Sequence, residues 1–386
     1  MKPHPLIRSF LFCAALSALV IASPAGAGIA VPTAEQGGWV VVPSPNPSDQ
    51  GNYLAALAPV SANDVWAVGA AYRPSSTPGT LTEHWNGSAW SVVPSPNATP
   101  GYNELYGAAA VSSTDVWAVG YHNIANYGSE KSMALHWDGT KWSIVPTRNI
   151  GTSANILRAV SAVASNDVWA VGLGASTSNQ TGRPLIEHWD GVRWSLVRSP
   201  NLGRGFGILN GVVALAADDV WAVGSHEGST LVEHWDGVAW RVVTSPNGMR
   251  SENEIYAVSA TGPDDVWAVG DSSNNQGGDT LVEHWDGTAW TVVPSLDGPQ
   301  PDSALYGVLA LGPGNVWAVG STYDPVVVDY KTFTEHWDGT AWTVVSSPNP
   351  GPIYDALVGI AGFPGGDVWG VGQAHIDTLV IRTTDA

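Results

Sequence analysis

"DVWAVG" occupies residues 64–69, and the same six letters return at 115, 167, 219 and 265, with "NVWAVG" at 315 and "DVWGVG" at 367. The tryptophans of these copies lie 51, 52, 52, 46, 50 and 52 residues apart. A fixed period of that size outranks any local reading of secondary structure. Two more markers recur in step with the first. One reads "EHWNG" at 83, "LHWDG" at 135 and "EHWDG" at 187, 233, 283 and 335. The other opens at a tryptophan five residues after the second, as in "WSVVPSPN" at 90 and "WTVVSSPN" at 342. All 20 tryptophans of the chain fall in these three slots, so none is left over for a private role.

Each unit reads as four short strands with turn signals between them. The first is rich in small residues ("LYGAAAVS" at 105, "LNGVVALA" at 209), the second is the hexapeptide, and the third is of the type "TLVEHW" at 280. An Asp-Gly or Asn-Gly pair, the strongest short hairpin signal, leads to the fourth. Four-stranded units of this length repeated radially predict an all-β chain folded as a seven-bladed β-propeller with four antiparallel strands per blade. The termini point the same way. The chain ends at "DTLVIRTTDA", a third strand with no fourth after it, while "GGWVVVPSPN" from Gly37 is a fourth strand with nothing before it, and Trp39 fills the slot of Trp90 and Trp142. Pairing the two closes the ring and covers two edges that would otherwise be exposed.

An apolar strand ending in glycine, a loop, a strand ending in an aromatic and a turn, then a tryptophan opening the outer strand: this order resembles the kelch group of propellers over about 350 residues. Kelch units carry paired glycines where this chain has Val-Gly, as at Val68-Gly69. The resemblance implies a rigid scaffold for binding or catalysis on one face and names no reaction.

Residues 1–27 read as a secretory signal: Lys2 and Arg8 are basic, Leu11 to Ile21 is apolar but too short to span a bilayer, and Ala25-Gly26-Ala27 offers small residues for cleavage. Residues 28–386 are then one propeller domain. The only cysteine, Cys13, lies in the signal, which leaves the remainder without disulfide or thiol chemistry. Without Lys2 and Arg8 the chain carries 13 basic against 34 acidic residues, a formal charge of −21. Such a balance repels nucleic acid and anionic membranes. A secreted, extracellular monomer follows as the expectation, with no membrane insertion once the signal is removed.

Comparison of the copies separates framework from freedom. Only the stretch between second and third strands changes length, and by strand direction it shares a face with the links between blades, where loops tolerate variation and carry function. Candidate ligand contacts there are Tyr72, Arg73, His122, His226, Asp271, Tyr323 and His375. A second set comes from the start of the first strand. Two residues past its opening leucine or isoleucine the chain always places alanine or glycine, as axial crowding requires. The position between them varies: Ala55, Tyr106, Arg158, Asn210, Tyr256, Tyr306 and Val358. Tyr106, Arg158, Asn210, Tyr256 and Tyr306 offer apolar faces with hydrogen-bonding ends around a concave mouth, the surface a sugar or peptide needs.

The repeated histidines, one per blade, sit too far apart to share a zinc ion and read as packing or hydrogen-bonding devices. The hexapeptide aspartate reads as capping its own turn. No cofactor is expected. A structural calcium ion held by carboxylates and carbonyls in the channel is compatible with the composition, although no loop has a calcium-binding spacing. There is no serine elbow, paired-histidine metal helix, phosphate loop or cysteine nucleophile. The residues therefore favour a recognition protein for carbohydrate or an extracellular protein partner. The alternatives are a polysaccharide lyase or other glycan-cleaving enzyme using Tyr, His and Arg at the mouth, and a purely structural envelope protein.

Overall fold

The computed structural model describes residues 38–73, 77–123, 129–176, 181–298, 302–324 and 326–383. The expected signal at 1–27 lies outside them. The described residues form seven antiparallel sheets of four strands. In blade 1 the strands are Asn52–Ser61, Asp64–Tyr72, Pro78–Trp85 and Trp90–Val92, from the innermost outward. The innermost strands touch one another in sequence all the way round, and Asp355–Gly362 of blade 7 returns to Asn52–Ser61. Closure is as the termini predicted. Strand Trp39–Val41 pairs antiparallel with Asp377–Thr383, setting Trp39 opposite Thr383 and Val41 opposite Ile381, and so supplies the outer strand of blade 7.

The repeated hexapeptide is explained letter by letter. Its tryptophan is a pin between blades: Trp66 lies 4.8 Å from Trp137 and 5.2 Å, edge-on, from Trp142 of the next blade. The same pair of contacts recurs for Trp117, Trp169, Trp221 and Trp267. Trp317 meets Trp39 edge-on at 5.3 Å, Thr383 standing where the other blades have the third-strand tryptophan, and Trp369 closes the ring against Trp85 and Trp90 at 5.1 and 5.5 Å. Offset and edge-on aromatic pairs add about 0.5–1.5 kcal/mol each beyond the area they bury. Val65, Ala67 and Val68 are fully buried beside the pin.

The final glycine is a steric necessity. A Cβ on Gly69 would stand 2.0 Å from the carbonyl oxygen of Tyr53, and the equivalent glycines of the other six blades meet the same obstacle at 1.9 or 2.0 Å. The obstacle is a bulge in the innermost strand. Leu54 pairs with Gly69 and Ala56 with Val68, which leaves Ala55 unpaired.

The leading aspartate departs from expectation. Rather than capping its turn, Asp64 places Oδ1 2.8 Å from Nε2 of His84 on the third strand, and blades 2 to 5 repeat the contact at the same distance. In blade 6 Asn315 takes the role at 3.0 Å, and in blade 7 Asp367 meets Arg382 at 3.2 Å. The histidines are thus hydrogen-bonding devices that tie the second strand to the third. Their rings also stack on the hexapeptide tryptophans, at 4.6 Å for Trp66 and His84.

One further slot is unusual. The glutamate before each histidine is fully buried in five blades: Glu83, Glu187, Glu233, Glu283 and Glu335. Leu135 and Ile381 stand there in the other two. Each carboxyl faces the link that leaves the preceding blade. Where the sixth residue after the outer tryptophan has an N–H, that N–H donates, as Arg148 does to Glu187 and Leu296 to Glu335, both at 2.8 Å. Where that residue is proline, which has no N–H, the serine before it donates instead: Ser199 to Glu233 at 2.8 Å and Ser245 to Glu283 at 2.5 Å. Glu83 has neither. Its preceding link carries Pro45, and the Ser44 hydroxyl is 2.6 Å from Thr378 Oγ1, so both Glu83 oxygens are buried without a partner among the described residues. Burial pushes the Glu83, Glu283 and Glu335 carboxyls up to about 8 and those of Glu187 and Glu233 to about 7.

Candidate functional site

The bulge that demands the hexapeptide glycine also creates the site. All seven innermost strands slip register at the same place, between the opening Leu or Ile and the small residue two positions on. The bulged residue is therefore the variable one: Ala55, Tyr106, Arg158, Asn210, Tyr256, Tyr306 or Val358. A bulge leaves its extra residue out of the ladder and re-aims its side chain. The small residue after it is set by crowding, since a Cβ on Gly107 would stand 2.9 Å from Cα of Ala159 in the next blade.

Five candidates at the bulges, with Asp271, gather in two clusters. In the first, Glu104 of blade 2 is buried and accepts three phenol hydroxyls: Tyr53 of blade 1 at 2.6 Å, Tyr106 at 2.9 Å and Tyr121 at 2.9 Å. Tyr106 stacks on Tyr121 at 5.8 Å, and the Arg158 guanidinium of blade 3 lies 5.1 Å above the Tyr106 ring. Burial raises the Glu104 carboxyl, against the pull of the three phenols and the Arg158 charge.

In the second cluster, Asn210 of blade 4 donates through Nδ2 to Glu254 Oε1 and to the Ile255 carbonyl of blade 5, both at 2.9 Å. Tyr256 donates to Asp271 Oδ1 at 2.8 Å and packs 5.3 Å from Tyr306, which is hydrogen-bonded to Ser321. Burial, and then the charge of Asp271, drive the hydroxyls of Tyr256 and Tyr306 well above the usual phenol range. Each cluster spans neighbouring blades around an acidic centre.

The remaining six candidates lie on the same face but do not join either cluster. Arg73 spends its donors on the carbonyls of Thr77 (3.2 Å), Pro78 (3.1 Å) and Gly101, which makes it a tie between loops. Tyr72 donates its N–H to Gly51 at 2.8 Å. His122 is half-buried on the second strand of blade 2, and burial followed by the charge of Lys131 holds its imidazole below the usual range. Tyr323 packs on Tyr330 at 5.1 Å, and Tyr330 on Tyr354 at 5.7 Å. His375 turns in the left-handed region, φ 56°, with its N–H on the Tyr354 carbonyl at 2.9 Å. His226 lines a groove between blades 3 and 4.

Tyr53, Glu104 and Glu254 escaped the sequence reading. They precede the opening leucine or isoleucine, a slot filled by Tyr53, Glu104, Ile156, Ile208, Glu254, Ala304 and Ala356, whose variety was itself the signal. Among the described residues no three His, Cys, Asp or Glu side chains gather to hold a metal ion.

Solved structures share this architecture. YCF48 bound to a D1 peptide matches with a TM-score of 0.57 at 15% identity, over 95% of this chain and 100% of its own. YCF48 from Cyanidioschyzon merolae gives 0.56 at 14% identity, over 90% and 98%. The extracellular domain of the hybrid two component system BT4673 of B. thetaiotaomicron gives 0.54 at 8% identity, over 89% of this chain and 39% of that one. The likeness is one of fold. No family model and no curated protein matches the sequence. Among the described residues no helix is long and apolar enough to cross a membrane.

Proposed function

We propose that this chain is a kelch-like recognition propeller of the cell exterior, with a signal at 1–27 and one binding domain at 28–386, that holds carbohydrate or an extracellular protein at the mouth of its variable-loop face. One observation carries the reading. The bulge slot is exempt from the ladder that fixes its neighbours, and there the chain departs from symmetry to place Tyr, Arg and Asn. Propellers of the same fold with a bound peptide or an extracellular location are compatible with it. The reading calls for a monomer, no cofactor and no nucleic acid.

The lyase alternative is less favoured. A tyrosine base works best with a pKa near the working pH, whereas Tyr256 and Tyr306 are pushed the other way and the Tyr106 hydroxyl is committed to Glu104. The test is binding of the purified protein to arrays of polysaccharides and in pull-downs with extracellular proteins, beside the variant Tyr106→Ala/Arg158→Ala. Retention of a ligand that the variant loses supports the reading. Binding by neither protein, or by both equally, counts against it.

A further inference from the structure

Six blades share a latch that the seventh lacks. In six of them the third strand donates a backbone N–H to the side chain of the seventh residue after the outer tryptophan: Thr80 to Asn97 (3.0 Å), Ser132 to Asn149 (3.2 Å), Thr230 to Asn247 (2.9 Å), Thr280 to Asp297 (2.8 Å), Thr332 to Asn349 (2.7 Å) and Thr378 to Asn46 (2.7 Å). The donor's hydroxyl also meets the hydroxyl two residues before that acceptor, as Thr80 meets Ser95 at 2.9 Å. The latch pins the outgoing link onto the blade.

Blade 3 has Pro184 in the donor slot, paired to Leu173 as Thr80 is to Ala70. Proline has neither N–H nor hydroxyl, so Asn201 accepts instead from the Gly203 N–H at 3.1 Å, and Ser199 keeps its bond to Glu233 but has no hydroxyl at position 184 to meet. Where the latch is missing, a cavity of about 860 Å³ opens, lined by Arg183, Pro184, Arg198, Pro200, Leu202 and His226 among others. Its size suits a short ligand chain.

The charge of this sector is opposite to that of the chain. Residues 141–206 hold seven basic and three acidic residues, in a protein with 15 basic and 34 acidic. The three acids are occupied: Glu187 is buried, Asp167 is held by His188 at 2.8 Å, and Asp190 accepts the N–H groups of Val192 and Arg193. Arg183 and Arg198 of the groove, and Arg204 between two lining glycines, are exposed and make no hydrogen bond or ion pair among the described residues. One carboxylate stands at the rim, Glu227, and it accepts the Phe206 N–H at 2.5 Å.

We infer that the unlatched groove between blades 3 and 4, walled by Pro184, Pro200 and Leu202 and flanked by Arg183, Arg198 and Arg204, is a binding site for an acidic peptide segment. Guanidinium groups take carboxylates as paired forks. The walls between them are aliphatic, and among the described lining residues there is no Trp, Tyr or Phe to receive the face of a sugar, the imidazole of His226 being the aromatic ring present. The site shares the mouth's face but none of its clustered residues, so it goes beyond the function proposed above and is tested apart from it.

The experiment is a titration of the protein into a fluorescently labelled octapeptide of alternating glutamate and leucine, read by anisotropy at low and physiological ionic strength. Saturable binding that weakens with salt is expected. Arg183→Ala/Arg198→Ala should weaken it about tenfold or more. Pro184→Thr, which restores the latch without altering charge, should weaken it too, while Tyr106→Ala/Arg158→Ala leaves it unchanged. The inference is overturned by absence of saturable binding, by binding indifferent to the groove variants, by loss in the mouth variant alone, or by an oligogalacturonate that displaces the peptide and binds more tightly.

Discussion

Glu83→Gln replaces a buried carboxyl that lacks any hydrogen-bond partner among the described residues. Its folded-state pKa of about 8 lies above the ordinary 4.5. The native state therefore binds the proton more tightly than the unfolded chain does, and the glutamate's contribution is complete below pH 4.5 and lost as pH rises through 8. Linkage over that shift amounts to about 3–4 kcal/mol of stability lost between roughly pH 5 and pH 8, at about 1.4 kcal/mol per pKa unit. Glutamine carries no titrating proton, so the variant escapes the loss, at the cost of unsatisfied amide hydrogens worth about 1–3 kcal/mol. It should be slightly less stable than the parent at pH 5 and more stable at pH 8. Glu83→Leu, which copies Leu135 and its full burial in blade 2, should gain at both. Urea unfolding followed by tryptophan fluorescence at half-unit pH steps gives the comparison. If the parent and Glu83→Gln lose stability in parallel from pH 5 to pH 8, Glu83 is not the titrating group and the reasoning fails.

Gly120→Ala should destabilise the ring by about 3 kcal/mol or more, because its Cβ would lie 1.9 Å from the Glu104 carbonyl oxygen, and the unfolding midpoint reads the loss directly. Gly262→Ala, with nothing within 4 Å of its Cβ, is the matched control and should shift the midpoint little. Trp369→Ala removes the pin against Trp85 and Trp90, so a loss of about 3–5 kcal/mol is expected. Hydrogen exchange should show that loss concentrated in strand Asp377–Thr383 and in blade 1.

The fold was legible because its demands repeat. The glycine at 69 and its six equivalents answer one steric conflict, Trp66 and its equivalents answer one packing contact, and Trp39 had only one vacant slot to fill. The bulge slot was legible as the variable position flanked by an invariably small one. What stayed hidden depends on side chains converging from different blades: three tyrosines from two blades meet on Glu104, and no spacing within one repeat announces it. Loop candidates such as Arg73 stand apart from the two clusters, because sharing a face fixes neither distance from the axis nor what a side chain touches. The aspartate of the hexapeptide was misread because its partner stands about 20 residues away on the third strand, as in Asp64 and His84. The unlatched blade was visible in principle as Pro184 in a slot that is otherwise threonine or serine, but its meaning needs the hydrogen bond that the proline removes.

The central claim is that the bulge slot, free of the ladder, carries recognition. Its most direct test is the variant with Tyr106, Arg158, Asn210, Tyr256 and Tyr306 all changed to alanine, the residue blade 1 already has at Ala55. The measurement is array binding beside the unfolding midpoint. A ring that still unfolds cooperatively, at a lowered midpoint because the cross-blade contacts of these side chains are gone, with ligand binding abolished is the predicted result; undiminished binding, or a chain that no longer folds, would contradict it.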